Sequence, residues 1–432
     1  MKPFILGSSR AFKGQVIDSE NALKKLGWDA NTGNGYISYG INRSIFGTDK
    51  KVFEYQNLFD LQDIDKLVNL INGGGFSHLF ISFQSHIYPG NNQLNWNALE
   101  RLVSQIRIPV LVFSLGAICD NHQVDMELDA KLSDQMISCL RTISEKSIQI
   151  GIRGEYTKSV LDKIAVYNTT IIGCPSYFEM GENRKEVSLG WDEQKNILAL
   201  GWFSNQAMSN KLHYIFQDIT QDSFFYKLSV SNFDFCKEDL ISLGIDHFDN
   251  YIKNGLSAFL DSRTRIFADY ELWKGYIYEK FNLAIGTRFH GSVIAINSGV
   301  PAILTNGDIR TKELSDHLNI PHRPDLWKTS QAIDLRKLHE NTDFSGINSS
   351  YPNLYQNYRN WLLVNGISID NVKRARGLVS IAQKIRDTWL QPAVFKQRSV
   401  IETNAYLADA ILFILENRFS RINLLEQELN IK

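Results

Sequence analysis

The sequence predicts an α/β protein with parallel sheets, and three observations support this fold class. Short β-rich runs alternate along the chain with longer stretches whose apolar residues recur at helical spacing. The β-rich runs are almost continuously apolar, as expected for strands that have helices on both faces of a sheet. The chain has 432 residues, which is more than one compact core usually organises, so we expect two domains.

In the N-terminal half, the alternation predicts four strands and four helices. The strands are His78–Ser82, Pro109–Leu115, Ser147–Ile152 and Thr169–Ile172, and the helices are Asp63–Ile71, Trp96–Gln105, Asp129–Glu145 and Thr157–Ile164. A second series of strands follows a polar stretch of the chain. These strands are Asn196–Gly201, Arg265–Ala268, Leu283–Gly286 and Ala302–Thr305.

The polar stretch Glu179–Asn196 is rich in charge and lacks apolar periodicity, which is typical of a linker between domains. We therefore predict one domain over residues 1–185 and a second over residues 186–350. In residues 351–432, Val372–Leu390 and Asn404–Leu429 carry apolar residues three and four positions apart. This spacing predicts a helical extension packed on one or both domains, with binding to a membrane surface as the alternative.

The composition argues against several functional classes. Lys plus Arg (46) almost balances Asp plus Glu (47), whereas a nucleic-acid-binding surface normally needs an excess of basic charge. No apolar run is long enough for a secretory signal or a membrane span. The four cysteines lack CxxC spacing, and no His, Cys, Asp and Glu cluster has the spacing of metal ligands. We predict a cytoplasmic protein without a metal site or a nucleic-acid partner.

The segment Asn282–Ile309 carries the strongest local signal. Its residues predict a strand that ends at Gly286, a short helix over Ser292–Asn297 and a second strand after Pro301. Gly299 stands where a helix end favours a left-handed residue. Arg288 and His290 therefore fall in the first loop, just before a helix N-terminus.

This loop has the features of an anion-binding site. Ligands of open α/β sheets gather beyond the carboxyl ends of the strands, and free N–H groups at a helix N-terminus favour negative charge. Arg288 adds a planar guanidinium that fits a carboxylate or a phosphate, and Gly286 and Gly291 allow a close approach of the backbone. The alternative is that Arg288 and His290 only donate hydrogen bonds to neighbouring carbonyls.

The string GTRFHGSVIAINSGVPAILTNGDIRTKEL resembles the hallmark of the polysaccharide pyruvyltransferase family. Other segments resemble the family in the expected order, over roughly residues 30 to 320. They are NTGNG at 31–35, PVLVFSLG at 109–116, IRGEYT at 152–157 and GCPS at 173–176. Gly154 and Cys174 stand where the family usually has an acidic residue, and Thr157 replaces a serine.

The resemblance implies two Rossmann-like domains that face each other across a cleft, similar to the GT-B architecture of glycosyltransferases. Residues 1–185 would form the acceptor side and residues 186–350 the donor side. It also implies phosphoenolpyruvate as the donor, used as a co-substrate with no other cofactor. Carried over residue by residue, the donor site consists of Arg153, Arg288, His290 and Gly291.

Candidates for the chemistry follow from the same segments. His290 is the first candidate for proton transfer, because imidazole titrates near neutral pH; it could equally bind phosphate as a cation. Asp308 would act as a base or bind a sugar hydroxyl, or it is only a turn residue. Asn34 and His86 are predicted to bind the acceptor, a sugar that is free in a polymer or carried on a lipid. A lipid-carried acceptor would place the protein at the inner membrane surface.

Two other functions remain open at the level of the sequence. The first is a GT-B glycosyltransferase that uses a nucleotide sugar as its donor. The second is a sugar- or anion-binding protein without catalysis. A dinucleotide-dependent oxidoreductase is disfavoured, because no GxGxxG motif follows the first strand with an acidic residue about 20 positions later.

Overall fold

A computed structural model describes residues 2–7, 31–47, 54–90, 94–119, 132–201, 212–217, 263–267, 270–328 and 333–369. The predicted tail helices, Val372–Leu390 and Asn404–Leu429, lie outside these residues. None of the helices in the described ranges is both long enough and apolar enough to cross a membrane.

Thirteen strands occur within the described residues. They are β1 (Phe4–Gly7), β2 (Glu54–Asn57), β3 (Leu79–Ser82), β4 (Ser85–Ile87), β5 (Val110–Phe113), β6 (Gly116–Ala117), β7 (Ile150–Ile152), β8 (Thr169–Ile171), β9 (Asn196–Leu200), β10 (His213–Phe216), β11 (Thr264–Ile266), β12 (Phe281–Gly286) and β13 (Ala302–Leu304). All pairings between these strands are parallel.

The same ranges contain eleven α-helices, which cover the sheets. They are α1 (Thr32–Phe46), α2 (Ile64–Gly73), α3 (Trp96–Gln105), α4 (Asp134–Lys146), α5 (Glu155–Lys163), α6 (Tyr270–Lys280), α7 (Phe289–Asn297), α8 (Ile309–Leu318), α9 (Asp325–Lys328), α10 (Leu335–Glu340) and α11 (Ser345–Val364). Two 3₁₀ turns occur near the predicted linker: Pro175–Phe178 directly precedes it, and Gly181–Asn183 lies within its first residues. The predicted α/β fold class with parallel sheets is confirmed.

The first sheet has the strand order β2-β1-β3-β5, and the second has the order β11-β10-β9-β12-β13. A bridge between Leu115 and Ile152 links the edge of the first sheet to the β7–β8 pair. Because side chains alternate along a strand, the two faces of the first sheet enter different cores. Leu79 and Ile81 pack beneath helices α2 to α5, whereas Phe80 packs with α1, α11 and the second sheet.

Helix α11 begins at Ser345, six residues before the predicted start of the C-terminal extension, and it packs back onto the N-terminal half. The Trp361 ring lies 5.1 Å from the Phe113 ring, edge to face, and its Nε1 donates to the Gln149 carbonyl at 3.2 Å. Tyr358 stacks on Phe178 with 4.7 Å between the ring centroids. This helix therefore connects the two halves of the chain.

The segment NTGNG at 31–35 forms a helix start. Asn31 is the N-cap of α1, and its side-chain oxygen accepts from the backbone N–H groups of Gly33 (2.9 Å) and Asn34 (3.3 Å). The cap satisfies two of the donors that a helix start leaves free. The composition of this segment resembles that of a turn because capping residues and turn residues are the same types.

Candidate functional site

The loop between β12 and α7 is shorter than predicted, because α7 begins at Phe289 and not at Ser292, so Arg288 ends the loop and His290 lies in the first turn of the helix. The backbone N–H groups of Thr287 and Arg288 donate to the Leu200 carbonyl at 2.8 and 3.2 Å, which fastens the loop to the end of β9. Arg288 is the N-cap residue of α7, and its own side chain makes no capping hydrogen bond. Among the described residues, no side chain accepts from the first-turn N–H groups of α7, so the helix favours an anion at this end.

The N-terminus of α1 meets the N-terminus of α7, although the two helices come from opposite halves of the chain. A Cβ atom added to Gly33 would lie 3.3 Å from Cβ of His290. Thr32 donates to the Gln217 carbonyl through its backbone N–H (2.7 Å) and its hydroxyl (3.1 Å). Gln217 follows β10, so the end of this strand joins the two helices.

Arg153 is the buried cation of the site. The residue follows β7 and is only 3% exposed. Its Nε donates to the carbonyl (3.1 Å) and the hydroxyl (3.2 Å) of Ser114, and its Nη1 donates to the Ser85 hydroxyl at 2.6 Å. These acceptors are all neutral, and Arg153 forms no ion pair within the described part of the chain. Burial lowers the pKa of Arg153 to about 10, which still leaves the guanidinium charged at neutral pH.

His290 lies beside Arg153 and is neutral in the folded protein. Burial lowers its pKa well below the ordinary value, and the charges of Arg153 and Arg310 lower it further. Its Nε2 lies 3.8 Å from Sγ of Cys174, which is itself buried. Without a ligand, the His290 imidazole is therefore neutral at pH 7 and adds no positive charge to the site.

His86, which was predicted to bind the acceptor, also lies near Arg153. It is in β4 and is buried, and its Nδ1 accepts from the Gln84 backbone N–H at 2.9 Å. Burial lowers its pKa to about 3, with a smaller contribution from Arg153, so the ring is neutral. Asn34, the other predicted acceptor residue, is half-buried in the first turn of α1, next to Gly33.

Asp308 is the N-cap residue of α8, and three donors surround its carboxylate. Oδ1 accepts from the Thr311 backbone at 2.6 Å, and Oδ2 accepts from Arg310 (2.8 Å) and Asn306 (2.7 Å). Burial alone would raise the pKa of Asp308, but Arg310 and Thr311 outweigh burial, so the pKa is lowered. This geometry assigns Asp308 to helix capping and to an ion pair with Arg310, while its role as a base stays a prediction.

The structure brings Arg153 and His290 together, with Arg310 and Asp308 close enough to act on Arg153 electrostatically. Arg288 is half-buried, and its Cγ would be 3.7 Å from a Cβ atom on Gly201. The convergence of the Arg153 and Arg288 side chains on one ligand stays a prediction.

Glu313 also lies near Arg153, and no sequence pattern predicts this position. Its carboxylate accepts from the Thr157 backbone N–H (3.0 Å) and the Thr157 hydroxyl (2.9 Å), which caps α5 from outside. A Cβ atom on Gly154 would lie 2.8 Å from Cβ of Glu313. The glycine thus makes room for Glu313, whose carboxyl lies where a side chain at position 154 would extend. Burial raises the pKa of Glu313 to about 7.

The comparisons with known proteins point to one family. A family model described as polysaccharide pyruvyl transferase matches residues 31–308, from the cap of α1 to the cap of α8. A search of functionally curated proteins gives no significant match. Among solved structures, a variant of the wall teichoic acid polymerase TagF aligns over 85% of this chain and 85% of its own, with 9% identity. Its TM-score is 0.30, too low to carry an argument.

Proposed function

The chain belongs to the polysaccharide pyruvyl transferase family, and from this premise we propose that it transfers the enolpyruvyl group of phosphoenolpyruvate to a sugar. The product is a pyruvate ketal that bridges two hydroxyls of this sugar. The sugar belongs to a polysaccharide, an oligosaccharide or a lipid-linked precursor.

The observation that carries the proposal is the uncompensated charge of Arg153. Removing an ion from water costs several kcal/mol unless an opposite charge or good hydrogen bonds offset this cost. Arg153 has three hydrogen bonds to neutral oxygens and no carboxylate partner among the described residues. A small anion with several negative charges, such as phosphoenolpyruvate, would supply the missing counter-charge.

The surroundings of Arg153 support the same ligand. The uncapped N-terminus of α7 favours negative charge, and Arg288 occupies the N-cap position of this helix. Arg310 also acts electrostatically on both Arg153 and His290, with its own charge paired to Asp308. Phosphoenolpyruvate carries a carboxylate and a phosphate, which suits a site with more than one group that binds anions.

The methylene carbon of phosphoenolpyruvate takes up a proton, and the oxygen of one sugar hydroxyl bonds to the central carbon and loses its proton. The bond from the central carbon to the phosphate oxygen then breaks, and phosphate leaves with its electron pair. A second hydroxyl bonds to the same carbon and loses its proton, which closes the ketal. Positive groups near the leaving phosphate stabilise the charge that develops on it.

His290 is our candidate base for a sugar hydroxyl, because the neutral imidazole has a free nitrogen lone pair that can take the hydroxyl proton. We expect His290→Ala to lower kcat more than it lowers the affinity for phosphoenolpyruvate. Arg288→Ala should instead weaken the binding of the donor. Calorimetric titration and steady-state kinetics on both variants separate these effects.

The proposal is tested by phosphoenolpyruvate titration and by phosphate release with candidate sugar acceptors. In Arg153→Met, the affinity for phosphoenolpyruvate should fall by roughly 100-fold or more, because charge-assisted hydrogen bonds contribute about 1.5–3 kcal/mol each. Arg101→Met is the matched control, since Arg101 is an exposed residue of α3. Wild-type affinity in Arg153→Met, or tight binding of a nucleotide sugar in place of phosphoenolpyruvate, would contradict the proposal.

A further inference from the structure

Gln217 lies where the ends of α1 and α7 meet, and its side chain is held between two glycines. A Cβ atom on Gly33 would lie 2.5 Å from Oε1 of Gln217, and one on Gly291 would lie 2.1 Å from Nε2. Both distances are shorter than real Cβ contacts, so any larger residue at either position would displace the carboxamide. Gln217 also holds α1 through its backbone carbonyl, which accepts from Thr32.

Among the described residues, no group accepts a hydrogen bond from the carboxamide nitrogen of Gln217. The residue is 3% exposed, and Nε2 is fully buried without a partner among the described residues. A carboxamide NH₂ group has two donors, and buried polar groups are almost always paired. An unpaired buried donor is unfavourable in the free protein, so a ligand that pairs it gains affinity.

This unpaired donor lies at the uncapped N-terminus of α7. Gly291, which Nε2 approaches, is in the first turn of that helix, next to His290. The first-turn N–H groups and the Gln217 amide are both hydrogen-bond donors that lack an acceptor side chain. Neutral donors around one point suit an oxygen atom that carries negative charge.

We propose that Gln217 binds and positions an oxyanion of the donor substrate, a carboxylate or a phosphate, through Nε2 at the first turn of α7. This inference rests on the proposed function, because phosphoenolpyruvate carries both groups. Gln217 binds the ligand and positions α1 against α7, and it takes no part in proton transfer. Its contribution is therefore to affinity and orientation.

The test is Gln217→Met, which keeps the length of the side chain and removes both donors. The affinity for phosphoenolpyruvate should fall by roughly 10- to 100-fold, because one buried hydrogen bond is lost. KM should rise more than kcat falls. The unfolding temperature of the free protein should stay the same or rise, since the unpaired donor is gone. Gln356→Met, an exposed site on α11, is the control.

Gly33→Ala gives a second, independent variant. Its methyl group would displace the carboxamide, so we expect the affinity to fall in the same direction, although alanine favours the helix. Combined with Gln217→Met, the alanine should add little, because both changes remove one interaction. Fully additive losses, or wild-type affinity in Gln217→Met, would overturn the inference.

Inorganic phosphate and pyruvate, titrated separately, identify the oxyanion. If Gln217→Met lowers the affinity for phosphate, Nε2 contacts the phosphate group of the donor, and if it lowers the affinity for pyruvate, Nε2 contacts the carboxylate. Unchanged affinity for both probes argues against a hydrogen bond from Nε2 to the donor. A wild-type protein that binds phosphate or pyruvate through Gln217 but does not bind phosphoenolpyruvate would refute the proposed function and leave this inference standing. Failure of the wild type to bind any of the three refutes both.

Discussion

Two groups of buried charges differ in how the protein neutralises them within the described residues. Beside the middle of α1, Lys274 Nζ lies 2.6 Å from Glu179 and 2.9 Å from Glu271, and the side chains of Lys274 and Glu179 are fully buried. Arg43 approaches Glu179 at 3.6 Å, so two cations meet two carboxylates. Arg153, by contrast, is buried without a carboxylate at ion-pair distance among the described residues, although Glu313 and Asp308 act on it electrostatically.

The neutralised group, which we call the Lys274 network (Arg43, Glu179, Glu271 and Lys274), has a structural role. Glu179 accepts from the Tyr36 hydroxyl at 2.9 Å, and Asn297 donates to the same hydroxyl at 3.1 Å. The network therefore fastens α1 to α6, to α7 and to the end of the Pro175–Phe178 turn. It needs no ligand, because the charges balance within the fold.

Structural and functional buried charges differ in whether the fold itself supplies the counter-charge. A buried cation that the fold neutralises contributes to cohesion, and its loss exposes the partner charges to an apolar environment. A buried cation that the fold leaves without a counter-charge is unfavourable until an anion binds. The two groups should consequently respond to mutation in opposite ways.

The largest expected effect is that of Lys274→Met. It removes the cation closest to Glu179 and Glu271, and breaking a buried pair typically costs about 3–5 kcal/mol of unfolding free energy. Urea denaturation measures this loss, with Lys312→Met as the control for an exposed pair, where the change should stay below about 1 kcal/mol. An equally small change in Lys274→Met would remove the distinction between the two groups.

A smaller effect on stability is expected from Glu313, a buried carboxyl group that interacts electrostatically with Arg153. Its pKa is raised to about 7 by burial, so the attraction of Arg153 does not outweigh desolvation. The pKa of Glu313 in the folded protein exceeds its value near 4.5 in the unfolded chain, so the folded state binds the Glu313 proton more tightly. Glu313 therefore contributes its full stability below pH 4.5, and this contribution is lost as pH rises through 7. The loss is on the order of 3 kcal/mol, since one pKa unit corresponds to about 1.4 kcal/mol.

Glu313→Gln should flatten this decline in unfolding free energy between pH 4.5 and 7. Denaturation curves at several pH values provide the measurement, and Glu340→Gln on the exposed face of α10 serves as the control. If wild type and Glu313→Gln lose stability in parallel over this range, Glu313 is ionised throughout. Arg153 would then have a counter-ion, which would weaken the comparison.

The smallest expected change in stability is that of Arg153→Met without ligand. Replacing an unpaired buried charge by an apolar side chain should alter the unfolding free energy by about 1 kcal/mol or less, or should increase it. Thermal unfolding checks this, together with the stabilisation that phosphoenolpyruvate gives to the wild type and should no longer give to the variant. A loss as large as that of Lys274→Met would make Arg153 a structural residue.

The sequence predicts those parts of the fold that depend on patterns within a short stretch of the chain. Helix α3 begins and ends at the predicted residues, and the β12–α7–β13 unit has the predicted order of elements. Gly299 adopts the left-handed conformation that its position after α7 predicts, with φ at 82°. These features depend on periodicity, caps and breakers within a few neighbouring residues.

Helices α1 and α6 were missed for a physical reason. Of the fifteen residues of α1, thirteen are buried, so this helix has no polar face and no apolar stripe at helical spacing. Helix α6 likewise buries residues on several sides, including Lys274 in the network. A helix enclosed by both halves of the protein lacks the periodic pattern by which a surface helix is recognised.

By itself, the sequence determined the α/β class, the strand–loop–helix unit that carries Arg288 and the family resemblance, because each depends on residue types at short, fixed spacing. Only the tertiary structure decided which charges are neutralised. It placed Gln217 between Gly33 and Gly291, and it brought Glu313 against Gly154 across 159 positions of the chain. The balance of buried charge depends on distances between elements far apart in sequence, and no local pattern encodes those distances.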